Sequence, residues 1–189
     1  MRAAVAMIAE LFAWNEKRGA RGQKPVDMGI GLNTDLIVSG NIGSPKRMDY
    51  TVIGDGVNLA ARLESACKQY GARILVSENT FRKLRGTYRS REVDRVIVKG
   101  KTQPVGVYEI LDYHTEQTFP NVMEALGCFK AGIESYRDRK WDEAIAAFEE
   151  VLAIRAEDKP SRVYIERCRT LQTHPPAEDW SGVWTMTEK

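Results

Sequence analysis

The sequence is poor in cysteine and poorer in histidine. Cys67, Cys128 and Cys168, with His114 and His174, are spread over 189 residues. A disulfide framework or a zinc knuckle needs pairs at short spacing, so both are excluded. Buried reduced thiols in a reducing cytoplasm are expected instead. The two histidines lie far apart, with no other catalytic residue types beside them, and each reads as a surface residue. Long apolar runs are also missing. Ala3 to Ala13 comes nearest, but Glu10 interrupts it and Asn15-Glu-Lys-Arg18 follows it. It falls short of the ~20 apolar residues of a membrane span and reads as an amphipathic helix of a soluble domain. Nor does one charge dominate. A net charge of +2 gives no ground for bulk electrostatic binding to nucleic acid or an anionic membrane.

What is present is globular in character: 43% hydrophobic and 29% charged residues can build a core under a solvated surface. Met1 to Arg18 reads as a helix ended by Gly19. Met28 to Asn33 and Leu36 to Ile42 read as short strands around the turn Asn33-Thr-Asp35, and Gly43 to Asp49 as a polar loop. Over Val57 to Tyr70, Leu59, Leu63, Ala66 and Tyr70 recur at helical spacing, and Gly71 stops the helix. Arg73 to Ser77 reads as a strand and Glu78 to Leu84 as a short helix. Tyr88 to Val98 and Val105 to Asp112 read as strands joined by residues 99–104. Helices alternating with short strands argue for an α/β or α+β sandwich over 1–113.

After His114 the pattern is helical: Met123 to Arg139, Asp142 to Arg155 and Ser161 to Leu171. Gly132, Trp141, Ala144 and Phe148 are spaced as in a tetratricopeptide repeat, although Val151 and Ala156 depart from it. A single repeat cannot build a solenoid, so residues 114–172 are expected as a helical extension that packs on the first domain or meets a protein partner. Residues 173–189 read as an irregular tail docked through Trp180 and Trp184.

Gly100-Lys-Thr102 mimics the end of a phosphate-binding loop, but that motif needs Gly five positions earlier, where Arg95 stands. No Cys/His cluster has metal-ligand spacing. The informative segment is the loop-to-helix passage 49–64. Asn58 and Arg62 are four apart and share a helix face, continued by Ser65 and Gln69. Pattern alone leaves two readings, a solvated face or a face lining a cleft. In the second, the Arg fork suits phosphoryl oxygens and the Asn amide orients a hydroxyl. Lys99 adds a cation from another loop.

Gly29-Ile-Gly-Leu-Asn33, Val38-Ser-Gly-Asn-Ile-Gly43, Tyr50-Thr-Val-Ile-Gly-Asp-Gly-Val-Asn-Leu-Ala-Ala-Arg62 and Val98-Lys-Gly100 resemble, in order and spacing, blocks of the class III adenylate and guanylate cyclase catalytic domain. The wording is similar to cyanobacterial sensor-linked adenylate cyclases. The resemblance implies an α+β sandwich of the class III cyclase type, with a ferredoxin-like core truncated at its N-terminus. It implies ATP as substrate, cyclic AMP and pyrophosphate as products, two Mg2+ or Mn2+ ions, and a homodimer with the active site between subunits. It places Thr51 at the purine-reading position, Asn58 on the ribose, Arg62 on the pentavalent phosphate and Lys99 on the terminal phosphates. The family's metal-binding aspartates belong to blocks upstream of Met1. A fragment lacking the metal-binding half is therefore expected, cytoplasmic, without activity on its own, and exposing apolar surface that favours association. The alternative is a catalytically inactive cyclase-like regulatory or interaction module.

Overall fold

The computed structural model describes residues 1–44, 47–96 and 104–183. In chain order the elements are α1 (Arg2–Gly19), β1 (Ile30–Leu32), β2 (Val38–Ser44), β3 (Arg47–Ile53), α2 (Asp55–Tyr70), β4 (Ile74–Ser77), α3 (Glu78–Arg82), β5 (Ser90–Val96), β6 (Val105–Ile110), α4 (Val122–Arg137), α5 (Trp141–Ile154) and α6 (Lys159–Thr173). A four-stranded sheet has the order β1-β4-β6-β5, and β2 and β3 form a separate hairpin. β1 and β4 are parallel, and the other pairs are antiparallel.

Strand alternation sets the layers. Ile74 and Val76 of β4 pack with Ala4 and Ile8 of α1. Leu75 between them packs with Leu59, Leu63, Cys67 and Tyr70 of α2. α1 and α2 thus cover opposite faces of the mixed sheet, an α+β arrangement. The stripe read from the sequence is the buried face of α2, and Gly71 ends the helix in the left-handed region at φ 63°.

One expectation is corrected. Gly43 to Asp49 is not a polar loop: β2 runs to Ser44 and β3 begins at Arg47, in register from Val38–Ile53 to Ser44–Arg47. Polar and glycine residues hid the alternation of Met48, Tyr50 and Val52 that marks one strand face. The start of the 49–64 segment is therefore strand. β1 is also shorter than Met28 to Asn33. Residues 45–46, residues 97–103 with Lys99, and Trp184 lie outside the described residues.

Helices α4–α6 enclose an aromatic core. Phe148 stacks on Tyr164 at 5.1 Å between centroids, and Phe129 meets both edge-on. Gly132 is required there, because a Cβ would lie 2.7 Å from the Phe148 ring. Trp180 packs edge-on against Tyr136 and Trp141, so this part of the tail is docked.

The helical layer meets the sheet through buried charge. A register shift between Glu92 and Asp94 makes Val93 an extra residue in β5. Arg91, Val93 and Asp94 then all face the layer that holds α2 and α6. Arg91 donates twice to Asp158 (3.0 and 2.7 Å) and once to Glu109 (2.8 Å). Arg167 of α6 donates to Asp94 at 2.8 Å, and the Tyr70 hydroxyl of α2 donates to the same carboxylate. Asp158 also caps α6, accepting from the Ser161 backbone N–H (3.1 Å) and Oγ (2.7 Å). Lys159 Nζ reaches the carbonyl of Lys68 near the end of α2.

His114 is the second correction. It is buried, 5% exposed, among Phe12, Tyr113 and Phe119. Its Nδ1 lies 3.1 Å from Thr118 Oγ1 and its Nε2 lies 3.2 Å from Arg155. The aromatic neighbours are up to 102 residues away in sequence, so a surface reading had nothing local to contradict it. Burial, then the Arg155 charge, pushes the imidazole from 6.5 down to about 3. The unfolded chain therefore takes up this proton at a higher pH than the folded one. Stability should fall as pH drops below 6.5 toward 3, at most by ~1.4 kcal/mol per pH unit for one proton. Urea denaturation at pH 7 and pH 5 checks this, and His114→Gln should flatten the dependence.

Candidate functional site

The segment that drew attention in the sequence is β3, Gly54 and α2. Gly54 stands between strand and helix with φ 151° and ψ 161°, a region essentially reserved for glycine. It turns the chain directly from β3 into α2. α2 then lies almost on β1. A Cβ on Gly31 would come within 2.3 Å of the Ala60 carbonyl and the Glu64 nitrogen, and one on Gly29 within 2.7 Å of Cys67 Cβ. The Gly29-Ile30-Gly31 run leading into β1 is thus the seat of α2, with Ile30 turned to the α1 face.

With Leu59, Leu63, Cys67 and Tyr70 buried, α2 presents Asn58, Arg62, Ser65 and Gln69 to solvent. Asn58 and Arg62 are one helical turn apart on this face. Arg62 has no ion-pair partner among the described residues, so its guanidinium is free to meet an anion. Thr51 is exposed on β3, opposite Gly40 in the ladder, three residues before the Gly54 turn. Thr51, Asn58 and Arg62 therefore occupy consecutive elements hinged at one glycine. Lys99 is not placed, because it falls outside the described residues. Asp55 is exposed in the first turn of α2. Among the described residues no group of three Asp, Glu, His or Cys side chains could hold a metal ion.

Two features of the site were not read from the sequence. One is the side chain of Asn33, which donates to the Gly56 carbonyl at 3.0 Å. It was read as a turn residue, since its partner is 23 positions away. The other is the exposed hairpin beside the site, where Val38, Met48 and Tyr50 are 70%, 61% and 75% exposed. A shallow apolar groove of about 580 Å³, lined by Ala6, Met7, Glu10, Leu11, Trp14 and Met28, belongs to the α1 side of the sheet, away from α2. No described helix is long and apolar enough to cross a membrane.

Comparison with known proteins places this arrangement. Residues 1–112 match the model of the adenylate and guanylate cyclase catalytic domain. The chain is 37% identical over 147 residues to the terminal-differentiation-specific adenylate cyclase of Dictyostelium discoideum, covering 76% of this chain and 7% of that protein. That alignment is longer than the family match and so runs into the helical layer. The chain is also 37% identical over 117 residues to an adenylate cyclase of Anabaena cylindrica, covering 58% of this chain and 23% of that protein. It thus spans less than a quarter of the length of either relative. Among solved structures, the adenylyl cyclase CyaB from P. aeruginosa aligns with 61% of each chain at 31% identity and a TM-score of 0.44. The four sequence blocks and the match over residues 1–112 agree: the chain belongs to the class III adenylate and guanylate cyclase catalytic domain family.

Proposed function

We propose that this chain supplies the nucleotide-handling side of an adenylate cyclase that converts ATP to 3′,5′-cyclic AMP and pyrophosphate in intracellular signalling. The observation that carries the reading is the exposed face of α2, which follows the Thr51 strand through Gly54 and where an amide stands one turn from a guanidinium with no ion-pair partner among the described residues. In the reaction the ribose 3′-oxygen bonds to the α-phosphorus, the bond from that phosphorus to the pyrophosphate oxygen breaks, and the hydroxyl proton passes to solvent. Asn58 orients the ribose. Arg62 donates to the α-phosphate as negative charge builds on its oxygens. Thr51 reads the adenine and Lys99 holds the terminal phosphates. Mg2+ or Mn2+ supplies further charge neutralisation in the family.

The reading includes a homodimer. The apolar residues on β2 and β3 are uncovered, and an isolated two-stranded hairpin is marginal in water; a second copy would cover it. Without a membrane-crossing helix among the described residues, a cytoplasmic location fits. The spacing of Gly132, Trp141, Ala144 and Phe148 supports a tetratricopeptide-like extension that meets a protein partner. The alternative is a non-catalytic cyclase-like regulatory or interaction module. The test pairs the purified chain with a class III cyclase subunit that keeps its two metal-binding aspartates and lacks its own Asn and Arg. With Mn2+, the mixture should form cyclic AMP from ATP in preference to cyclic GMP from GTP. A GTP preference would refute the role given to Thr51.

A further inference from the structure

We propose that Asn33 is a positioning residue for this site: its side-chain amide fixes the first turn of α2, and through it Asn58, to the end of β4. The proposal rests on the cyclase reading for its functional part and on geometry for the rest.

α2 begins without a side-chain cap. Its N-cap residue is Gly54, which has no side chain to donate or accept, so the first turn has nothing of its own to stop it fraying. Asn33 supplies the missing tie from outside. Its Nδ2 donates to the Gly56 carbonyl at 3.0 Å, and its Oδ1 accepts from Ser77 Oγ at 2.6 Å. The amide can sit only one way round, because a carbonyl only accepts and so requires the NH2 group. Ser77 is a firm anchor. It is fully buried at the end of β4 and caps α3, accepting from the Thr80 N–H at 3.3 Å. Thr34, next to Asn33, reaches Thr80 Oγ1 at 3.0 Å. A chain of polar contacts therefore runs from the sheet through Ser77 and Asn33 to Gly56, two residues before Asn58.

Gly56 belongs to the same device. A Cβ there would lie 2.5 Å from Asp35 Cβ and 3.1 Å from Asn33 Nδ2. Any larger residue would push the first turn away from the Asn33 amide. The glycine of the Gly54-Asp-Gly56 segment thus has a use other than metal binding: it lets the helix start close enough to be held.

The test has two arms. In the first, hydrogen exchange is followed on the full chain carrying Asn33→Asp, which keeps the volume, removes the donor and turns an oxygen toward the Gly56 carbonyl. Exchange of the amides at 57–60 should rise about tenfold, the expected scale for one hydrogen bond lost. The amides of α4–α6 should be unchanged, which also verifies that the variant folds. Asn33→Ala should give the same pattern and replaces Asn33→Asp if that variant does not fold. Unchanged exchange at 57–60 overturns the proposal. In the second arm, cyclic AMP formation is measured in the paired assay. Asn33→Asp should lower kcat about tenfold with KM within about twofold. In the Asn58→Ala background it should cost less than about twofold more, since residues acting through one another are not additive. Additive losses would reduce Asn33 to a stabilising residue and overturn the positioning role. If the unsubstituted pair forms no cyclic AMP, the cyclase reading fails, and the exchange arm alone decides whether Asn33 holds the turn.

Discussion

Arg91→Ala should destabilise the chain by ~3–5 kcal/mol, the cost typical of breaking a buried ion pair from one side. Arg91 is 6% exposed, and its two carboxylate partners, Glu109 and Asp158, are 2% and 1% exposed. Removing the cation leaves two carboxylates facing each other without water. The pair already shows the tension. Burial raises the Glu109 pKa against the pull of Arg91. Burial also works upward on Asp158, but the Arg91 charge and the hydrogen bonds from Arg91 and Ser161 outweigh it and hold that pKa below its ordinary value. The guanidinium also lies 4.6 Å from the centroid of the Phe129 ring in α4, so one side chain joins β5, α4 and the start of α6. A loss of this size is comparable to much of the stability of a single domain, ~5–15 kcal/mol. Asp158→Asn should be milder, because Arg91 keeps Glu109 and the amide oxygen can still accept from Ser161. Urea denaturation of the two variants gives the ranking. Equal, sub-kcal losses would mean that this junction contributes little.

Arg62→Ala should lower cyclic AMP formation a hundred- to thousandfold in the paired assay, the usual cost of removing one preorganised donor to developing charge. Stability should hardly change, because Arg62 is exposed and has no ion-pair partner among the described residues. That combination separates it from Arg91, whose substitution should act through folding. Arg62→Lys should recover only part of the loss, since an ammonium lacks the planar fork that engages two phosphoryl oxygens. A fall of less than threefold in Arg62→Ala would remove the residue from its assigned role.

The elements carrying a strong local period are legible in the sequence. The apolar stripe of α2 and its Gly71 stop are of this kind, and so are the three helices after residue 120. Four sequence blocks were enough to reach the family. What stayed hidden depends on partners distant in the chain. β3 was missed because its polar and glycine neighbours look like a loop until β2 pairs with it. His114 looked like a surface residue because the groups that bury it come from α1 and from residues 119 and 155. Arg91, Asp94, Asp158 and Arg167 are charged, and charge in a sequence reads as surface. Only a bulge in β5 and the docking of α6 turn them inward to one another. Within the proposed site, the shared face of Asn58 and Arg62 was legible because one helix turn brings them together. Asn33 was not, because it acts on a carbonyl, and a backbone group leaves no mark in a sequence.

The central claim is that the exposed face of α2 is the nucleotide-handling side of a cyclase site completed by a second subunit. Its most direct test is cyclic AMP formed from ATP and Mn2+ by this chain, by the aspartate-bearing partner subunit, and by the two mixed. Cyclic AMP should appear well above either component alone only in the mixture, and should vanish when the chain carries Arg62→Ala. A mixture no more active than the partner alone, or one indifferent to Arg62, would contradict the claim.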